Sequence, residues 1–384
     1  MKAFIGWLGG AVLSVMAAGA AHAEIKVGFV TSLSGPGASI GIPYSKGMAA
    51  ALAYASEVAG EKIRLIELDD ASDPSAAARN ARKLIDEEKV DVLLGTSGAP
   101  SALAMATVAV EQKVPMIALS PIAPVAPGEG GPWVISVPQP AQLMVAAVVE
   151  RMKAQGIKSV AYIGFSDAWG DLVYDGLTAA AAPAGIKVLT NERYARADTS
   201  VTAQILKIIA TRPDAVMTGG AGTPGALPFL ALAERGYKGP VFGSHALINA
   251  DFVRVGGQAV EGVIAPTGPV VVAEQLPEAS PTKKAALDFR AAYEKANNST
   301  TTDAFSAYSF DGWILFLDAA KRSLPTTKPG TPEFRNTLRQ ALVNAKDVVG
   351  SHAVFNFTPA SQYGVDERAR VLVQLVKGKW KLLP

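Results

Sequence analysis

The 384-residue chain has no cysteine and only three histidines. Thiol catalysis, Cys-ligated zinc and iron–sulfur clusters are therefore excluded. His22 falls in an amino-terminal leader-like stretch, leaving His245 and His352. Neither has an acidic cluster nearby, so no metal and no cofactor is expected. Charge of one sign is also lacking. Lys and Arg number 36 against 34 Asp and Glu, for a formal net charge of +2. No basic run appears, and nucleic acid is not an expected partner. Beyond residue 23 no apolar stretch approaches the roughly 20 residues needed to span a bilayer. There is no P-loop, no G-x-S-x-G and no Ser-His-Asp spacing. An enzyme is thus not expected, and a secreted hydrolase with a scattered triad remains only a minor alternative.

What is present is a globular composition, 49% apolar and 18% charged, in a chain long enough for two lobes. Lys2, the small and apolar residues 3–20 and Ala21-His22-Ala23 read as a signal peptide, residues 1–23, with Glu24 starting the mature chain. The mature protein is expected outside the cytoplasm.

From Ile25 onward, short β-rich runs alternate with helical patterns. Strands are expected at Ile25–Val30, Ile63–Leu68, Asp91–Leu94 and Pro115–Leu119, with a small-residue helix at Ile42–Val58. Asp73-Pro74 opens another helix, Asp capping the free amides and Pro taking the first position. The rhythm restarts with helix Ala141–Ala154, strand Ser159–Gly164 and helix Leu172–Ala182. It continues through strands Lys187–Leu189, Ala215–Thr218 and Pro240–Phe242, and helices Val201–Ala210 and Pro228–Arg235. Such alternation implies parallel sheets covered on both faces, and two halves imply two sheets. Three amphipathic helices follow, Lys283–Ala296, Phe305–Ala320 and Pro332–Asn344, then β-structure at Ala353–Phe357 and Arg370–Leu382. The expected fold is α/β, two doubly wound parallel-sheet lobes on a hinge. Residues 24–140 plus 271–349 form one lobe and 141–270 plus 350–384 the other. A hinge of several segments permits closure around a ligand.

Open α/β sheets bind ligands beyond the carboxyl ends of their strands. Five loops qualify. Ser34–Gly41 follows the first strand; its spacing misses the third glycine of a dinucleotide fingerprint, which would fall at Ile40, so a ligand-facing turn or a plain turn remains. Gly95-Thr96-Ser97-Gly98-Ala99 precedes a helix whose amino terminus suits an anion, with Ser97 either adding a hydroxyl or capping the helix. Ser120-Pro121-Ile122 lies on the same sheet edge. In the second half Trp169 offers a ring for stacking, or else packs under its own helix. The loop Gly219–Thr223 is built of small residues. Asp69-Asp70 reads as a solvated strand end or helix cap, not an acid–base pair.

With these residues in place, the chain resembles the periplasmic branched-chain amino acid (Leu/Ile/Val) binding proteins, type I solute-binding proteins of ABC transporters. Ile25-Lys26-Val27-Gly28-Phe29 with Ser34-Gly35-Pro36, Asp69–Pro74, Val114-Pro115-Met116-Ile117 and Trp169-Gly170-Asp171 carry the resemblance in order and spacing. It implies a three-segment hinge, a periplasmic monomer, and an inner-membrane ABC permease as partner. It implies that loops matching Ser97, Gly98 and Ala99, and Ser120, Pro121 and Ile122, hold a ligand carboxylate. Trp169 would cap the ligand, and Ala221 and Gly222 would line the second lobe. Ile40 and Phe305 complete the expected set. The acid that pairs with a ligand ammonium would fall at His245. A histidine there leaves an ammonium without a counter-charge, at a cost of several kcal/mol. The expected ligand is therefore an organic acid, an aromatic carboxylate. The alternative is a branched-chain or other amino acid, with Asp251 supplying the counter-charge.

Overall fold

Ile25–Thr31 forms β1, whose buried, nearly unbroken apolar run suits a central parallel strand. The computed structural model describes residues 24–384; the expected signal peptide lies outside the described residues. After β1 come α1 (Ala38–Tyr54), β2 (Glu57–Val58), β3 (Glu61–Asp69), α2 (Pro74–Asp86), β4 (Val92–Gly95), α3 (Ala99–Glu111), β5 (Met116–Ala118) and β6 (Val134–Ser136). They make a six-stranded sheet in the order β2-β3-β1-β4-β5-β6, parallel except for the edge strand β2. Asp73 caps α2 as expected, its Oδ1 accepting from the Ala76 amide at 2.6 Å.

The second sheet is built from the next stretch. It contains α4 (Ala141–Ala154), β7 (Ser159–Phe165), α5 (Ala168–Ala184), β8 (Lys187–Tyr194), α6 (Thr202–Ala210), β9 (Ala215–Gly219), α7 (Leu227–Glu234), β10 (Val241–Gly243), α8 (Ala250–Gly256) and β11 (Ile264–Thr267). The chain then forms α9 (Lys283–Asn297), α10 (Ala304–Ser323), α11 (Pro332–Val343) and a small hairpin, β12 (Val348–Val349) with β13 (Val354–Phe355). It ends on β14 (Val371–Val376) and β15 (Lys379–Leu382), antiparallel strands that extend the second sheet to β15-β14-β11-β10-β9-β7-β8.

The three late helices pack on the first lobe. α10 lies along α1, with Ser309 Oγ donating to the Tyr44 carbonyl at 2.9 Å. Trp313, Phe316 and Phe289 bury their rings there. Truncating one of these rings to alanine costs roughly 3–5 kcal/mol in a packed core.

Several expectations need correction. α1 starts at Ala38 and stops at Tyr54, because Glu57-Val58 leaves the helix to pair with Glu61 and Lys62. α5 starts at Ala168, four residues before the expected Leu172, because Asp167 caps it. Strands β6 and β11 were not expected. β6 hides behind a Pro/Gly-rich loop, and Pro266 inside β11 argues against a strand in the sequence. Residues 351–363, expected with the second lobe, bond instead to the first. The Ser351 and His352 amides donate to the Asp311 carboxylate of α10 at 2.7 and 2.9 Å. Ser136 of β6 donates to the Gln362 carbonyl. The third crossing therefore lies between Tyr363 and Val371.

The crossing segments meet at one polar knot. Gln139 donates to the Ala369 carbonyl at 2.6 Å and accepts from the Tyr308 hydroxyl at 2.6 Å. Gly268, on the middle crossing, lies against Gln139 and the His352 ring.

Candidate ligand-binding site

The strand ends of the first sheet are tied into one frame. Ser97 follows β4, and its Oγ accepts from the Ser32 amide at 2.9 Å and lies 2.9 Å from Thr31 Oγ1. Asp70, at the end of β3, accepts from Ser32 Oγ at 2.6 Å and from the Ser72 amide at 2.9 Å, and bonds Thr96 Oγ1. Asp70 is fully buried, so the expected solvated strand end is instead a brace across three loops. Gly95 has φ +142°, and a Cβ there would lie 2.4 Å from the Val30 carbonyl. Only glycine lets β4 turn this close to β1.

Ser97 does not cap α3. The cap residue is Gly98, with no side-chain hydrogen bond. The first turn of α3, to which Pro100 contributes no N–H, is thus left without a side-chain cap, and Gly98 and Ala99 at this partially positive helix end border the cavity.

From the second lobe, Asp167 caps α5 through the Trp169 and Gly170 amides. Trp169 is buried and donates from Nε1 to the Gly220 carbonyl at 3.2 Å. Its ring meets His245 edge-on, centroids 5.2 Å apart. Ser244 Oγ donates to the same Gly220 carbonyl at 2.9 Å, so the loops after β9 and β10 are cross-braced.

These groups enclose a cavity of about 20 Å³ between the lobes. It is bordered by Ile40, Ser97, Gly98, Ala99, Ser120, Pro121, Trp169, Ala221, His245 and Phe305 of the expected set. Ile122 and Gly222 are not among its walls. Ile122 faces an adjoining crevice with Leu103 and Leu172, and its backbone is held by the Tyr363 hydroxyl. Gly222 packs against Ser39 and Ile40.

Four wall residues were not expected: Tyr44, Arg196, Ala246 and Tyr308. Tyr44 is one helical turn past Ile40, and Tyr308 is three residues past Phe305. Helical spacing could have found both. Arg196 lies in the loop after β8, a strand that runs five residues past its expected end at Leu189.

The fourteen walls include no Asp or Glu. Asp251 pairs with Arg254 at 2.8 Å and faces a larger outer groove of about 1360 Å³. Arg196 is the charged residue of the cavity and borders the outer groove as well. Its Nε binds Asp167 at 2.6 Å, and its guanidinium stacks 4.2 Å from the Phe165 ring centre. Among the described residues no group accepts from its Nη1 or Nη2.

His245 is buried, and its Nε2 has no partner. Burial pushes its pKa down to about 3, so the ring is neutral at ordinary pH. Burial lowers His352 to about 3 as well, with a smaller contribution from His245 nearby. Among the described residues no three His, Cys, Asp or Glu side chains gather to hold a metal, and no helix is long and apolar enough to cross a membrane.

A periplasmic binding protein family model matches residues 24–365. The chain belongs to that family. It is 25% identical over 344 residues to the Leu/Ile/Val-binding protein BraC3 of Rhizobium johnstonii, 88% of each chain being covered. Among solved structures it resembles an extracellular ligand-binding receptor of Rhodopseudomonas palustris HaA2, at 42% identity and TM-score 0.88 over 94% of this chain and all of that one. It shares its fold with an R. palustris ABC-transporter solute-binding protein solved in complex with benzoate, at 22% identity, TM-score 0.74, and 94% and 95% coverage. Members of this periplasmic family bind solutes, and the two parallel-sheet lobes and three crossings of this chain are the frame they share.

Proposed function

We infer that this chain is the periplasmic solute-binding component of an ABC importer, not an enzyme, and that its ligand is an aromatic carboxylate. The observation that carries this reading is the charge of the cavity wall: one guanidinium and no carboxylate. An amino acid would bury its ammonium without a counter-charge, whereas an organic acid meets a matching one. Trp169, Phe305, Tyr44 and Tyr308 supply flat apolar surface for a ring. In this reading the α3 amino terminus and Ser120 hold the carboxylate from the first lobe. Arg196 supplies the counter-charge from the second. The unpartnered His245 Nε2 is left for a polar ring substituent.

The cavity has room for about one water. A ring-sized ligand therefore requires the lobes to part, which the three crossings allow, and the wall side chains to shift before the lobes close on it. The benzoate complex of the same-fold protein supports the aromatic reading. The name of BraC3 favours a second reading, a branched-chain amino acid.

Isothermal titration of the purified mature chain separates the two. Benzoate, 4-hydroxybenzoate and cinnamate on one side are compared with leucine, isoleucine and valine on the other. Micromolar binding in the first group and none in the second is expected. Binding of leucine with no heat from any aromatic acid would overturn the reading.

A further inference from the structure

Away from the three crossings, Gln275 bonds Trp380 and Leu382 of β15 on the outer side, and beside the candidate site one hydrogen bond among the described residues joins the two lobes. The Thr223 amide of the second lobe donates to Ser39 Oγ of the first at 3.0 Å. The geometry around it is built for close approach. Ser39 sits in the first turn of α1, and Thr223 opens a short 3₁₀ turn after β9. Gly222 stands between them with φ +55° and ψ −151°, a conformation essentially confined to glycine. A Cβ on Gly222 would lie 2.5 Å from Ser39 Oγ and 3.2 Å from Ile40 Cγ1. Any side chain there would hold the lobes apart. Ile40 borders the inner cavity while Ser39 and Thr223 border the outer groove, so the contact lies on the partition between the two.

We propose that Ser39 and the Gly222–Thr223 turn form a latch that sets how long the closed lobes stay closed. Ser39 is a positioning residue: it touches no part of the cavity, and it acts by favouring the closed arrangement in which Ile40 seals the ligand in. The inference rests on the solute-binding reading but not on the chemical class of the ligand. Breaking the latch should speed ligand release and leave the fold intact. The expected loss is that of one net hydrogen bond, about two- to tenfold in dissociation rate.

The absence of cysteine allows a direct test. Lys46→Cys on α1 and Lys381→Cys on β15 place one fluorophore on each lobe beside the outer groove. Inter-lobe distance is then read by energy transfer in the latch-intact protein, in Ser39→Ala, and in Thr223→Pro, which removes the donor from the opposite side at a turn position that accepts proline. Each state is measured without ligand and with saturating 4-hydroxybenzoate, and release is followed by stopped flow. Both variants should shift toward longer distances, release the probe about two- to tenfold faster, and combine without additive effect, at unchanged melting temperature. Identical distances and release rates in the latch-intact protein and Ser39→Ala would overturn the latch. So would a latch-intact protein that shows no short-distance population in either condition. Should 4-hydroxybenzoate fail to bind, that result bears on the ligand and not on the latch. The unliganded distances then decide, loss of the short population in Ser39→Ala supporting the latch and no change refuting it.

Discussion

Arg196 carries the selectivity proposed for the cavity, and its surroundings show how. Asp167 holds Nε while capping α5, and Phe165 lies under the guanidinium, so the side chain is fixed before any ligand arrives. The Nη1–Nη2 edge is left for a carboxylate. Arg196→Gln is expected to weaken an aromatic carboxylate by about 1.5–3 kcal/mol, the worth of a hydrogen bond to a charged group. The corresponding uncharged amide should be nearly unaffected, which paired calorimetric titrations check. The two buried histidines give a second prediction at this scale. Their folded-state pKa values, about 3, lie below the ordinary 6.5. Between those values the unfolded chain binds more protons. The stability they contribute is complete above pH 6.5 and is lost as pH falls, by about 1.4 kcal/mol per unit for each ring. Urea unfolding at stepped pH should show His245→Phe halving the histidine part of that slope; a slope unchanged by the substitution would contradict it.

α10 links the site to the crossings. Its amino-terminal turn brings Phe305 and Tyr308 to the cavity, and Tyr308 bonds Gln139 at the knot. One turn further, Asp311 anchors the segment at Ser351 and His352. Burial pushes the Asp311 carboxyl up to about 6, against the two amides that favour its charge. The shift is upward, so its contribution is complete below pH 4 and declines as pH rises through 6, opposite in sign to the histidines. Asp311→Asn should remove that opposing slope while costing about 1–3 kcal/mol at neutral pH, since one amide loses its acceptor. Unfolding free energies at pH 4, 6 and 8 test both. The elements themselves were largely legible. α4 and α11 announce themselves by apolar periodicity, and α2 by Asp73-Pro74. Starts set by a cap on small residues, as in α5 at Asp167, were not. β13 was legible within Ala353–Phe357, but its place was not: the segment before it stays with α10 through a buried carboxylate. Most of the ten expected wall residues were legible because they lie on strand-end loops of the two sheets; His245, and Phe305 on α10, came from the family resemblance. Arg196 was missed because the strand was expected to end at Leu189, whereas β8 runs on to Tyr194 and puts Arg196 in its carboxyl-end loop.

At the scale of the molecule, the two sheets and three crossings make closure the expected response to ligand. Small-angle scattering should give a smaller radius of gyration when an aromatic carboxylate saturates the protein; an unchanged envelope at proven saturation would count against hinge closure. The whole-molecule arrangement was legible from the restarted β-α rhythm, whereas the return of residues 351–363 to the first lobe was not, because it depends on single hydrogen bonds to Asp311 and β6. In the proposed reading the cavity provides a counter-charge for a carboxylate and none for an ammonium. Ligands that differ only in that group test it most directly: 3-phenylpropionate against phenylalanine, and 4-methylpentanoate against leucine, each titrated calorimetrically into the same protein. Whichever skeleton fits, the acid without the ammonium should bind at least about a hundredfold more tightly, as several kcal/mol of uncompensated charge requires. Tighter binding of the amino acid in either pair would contradict it.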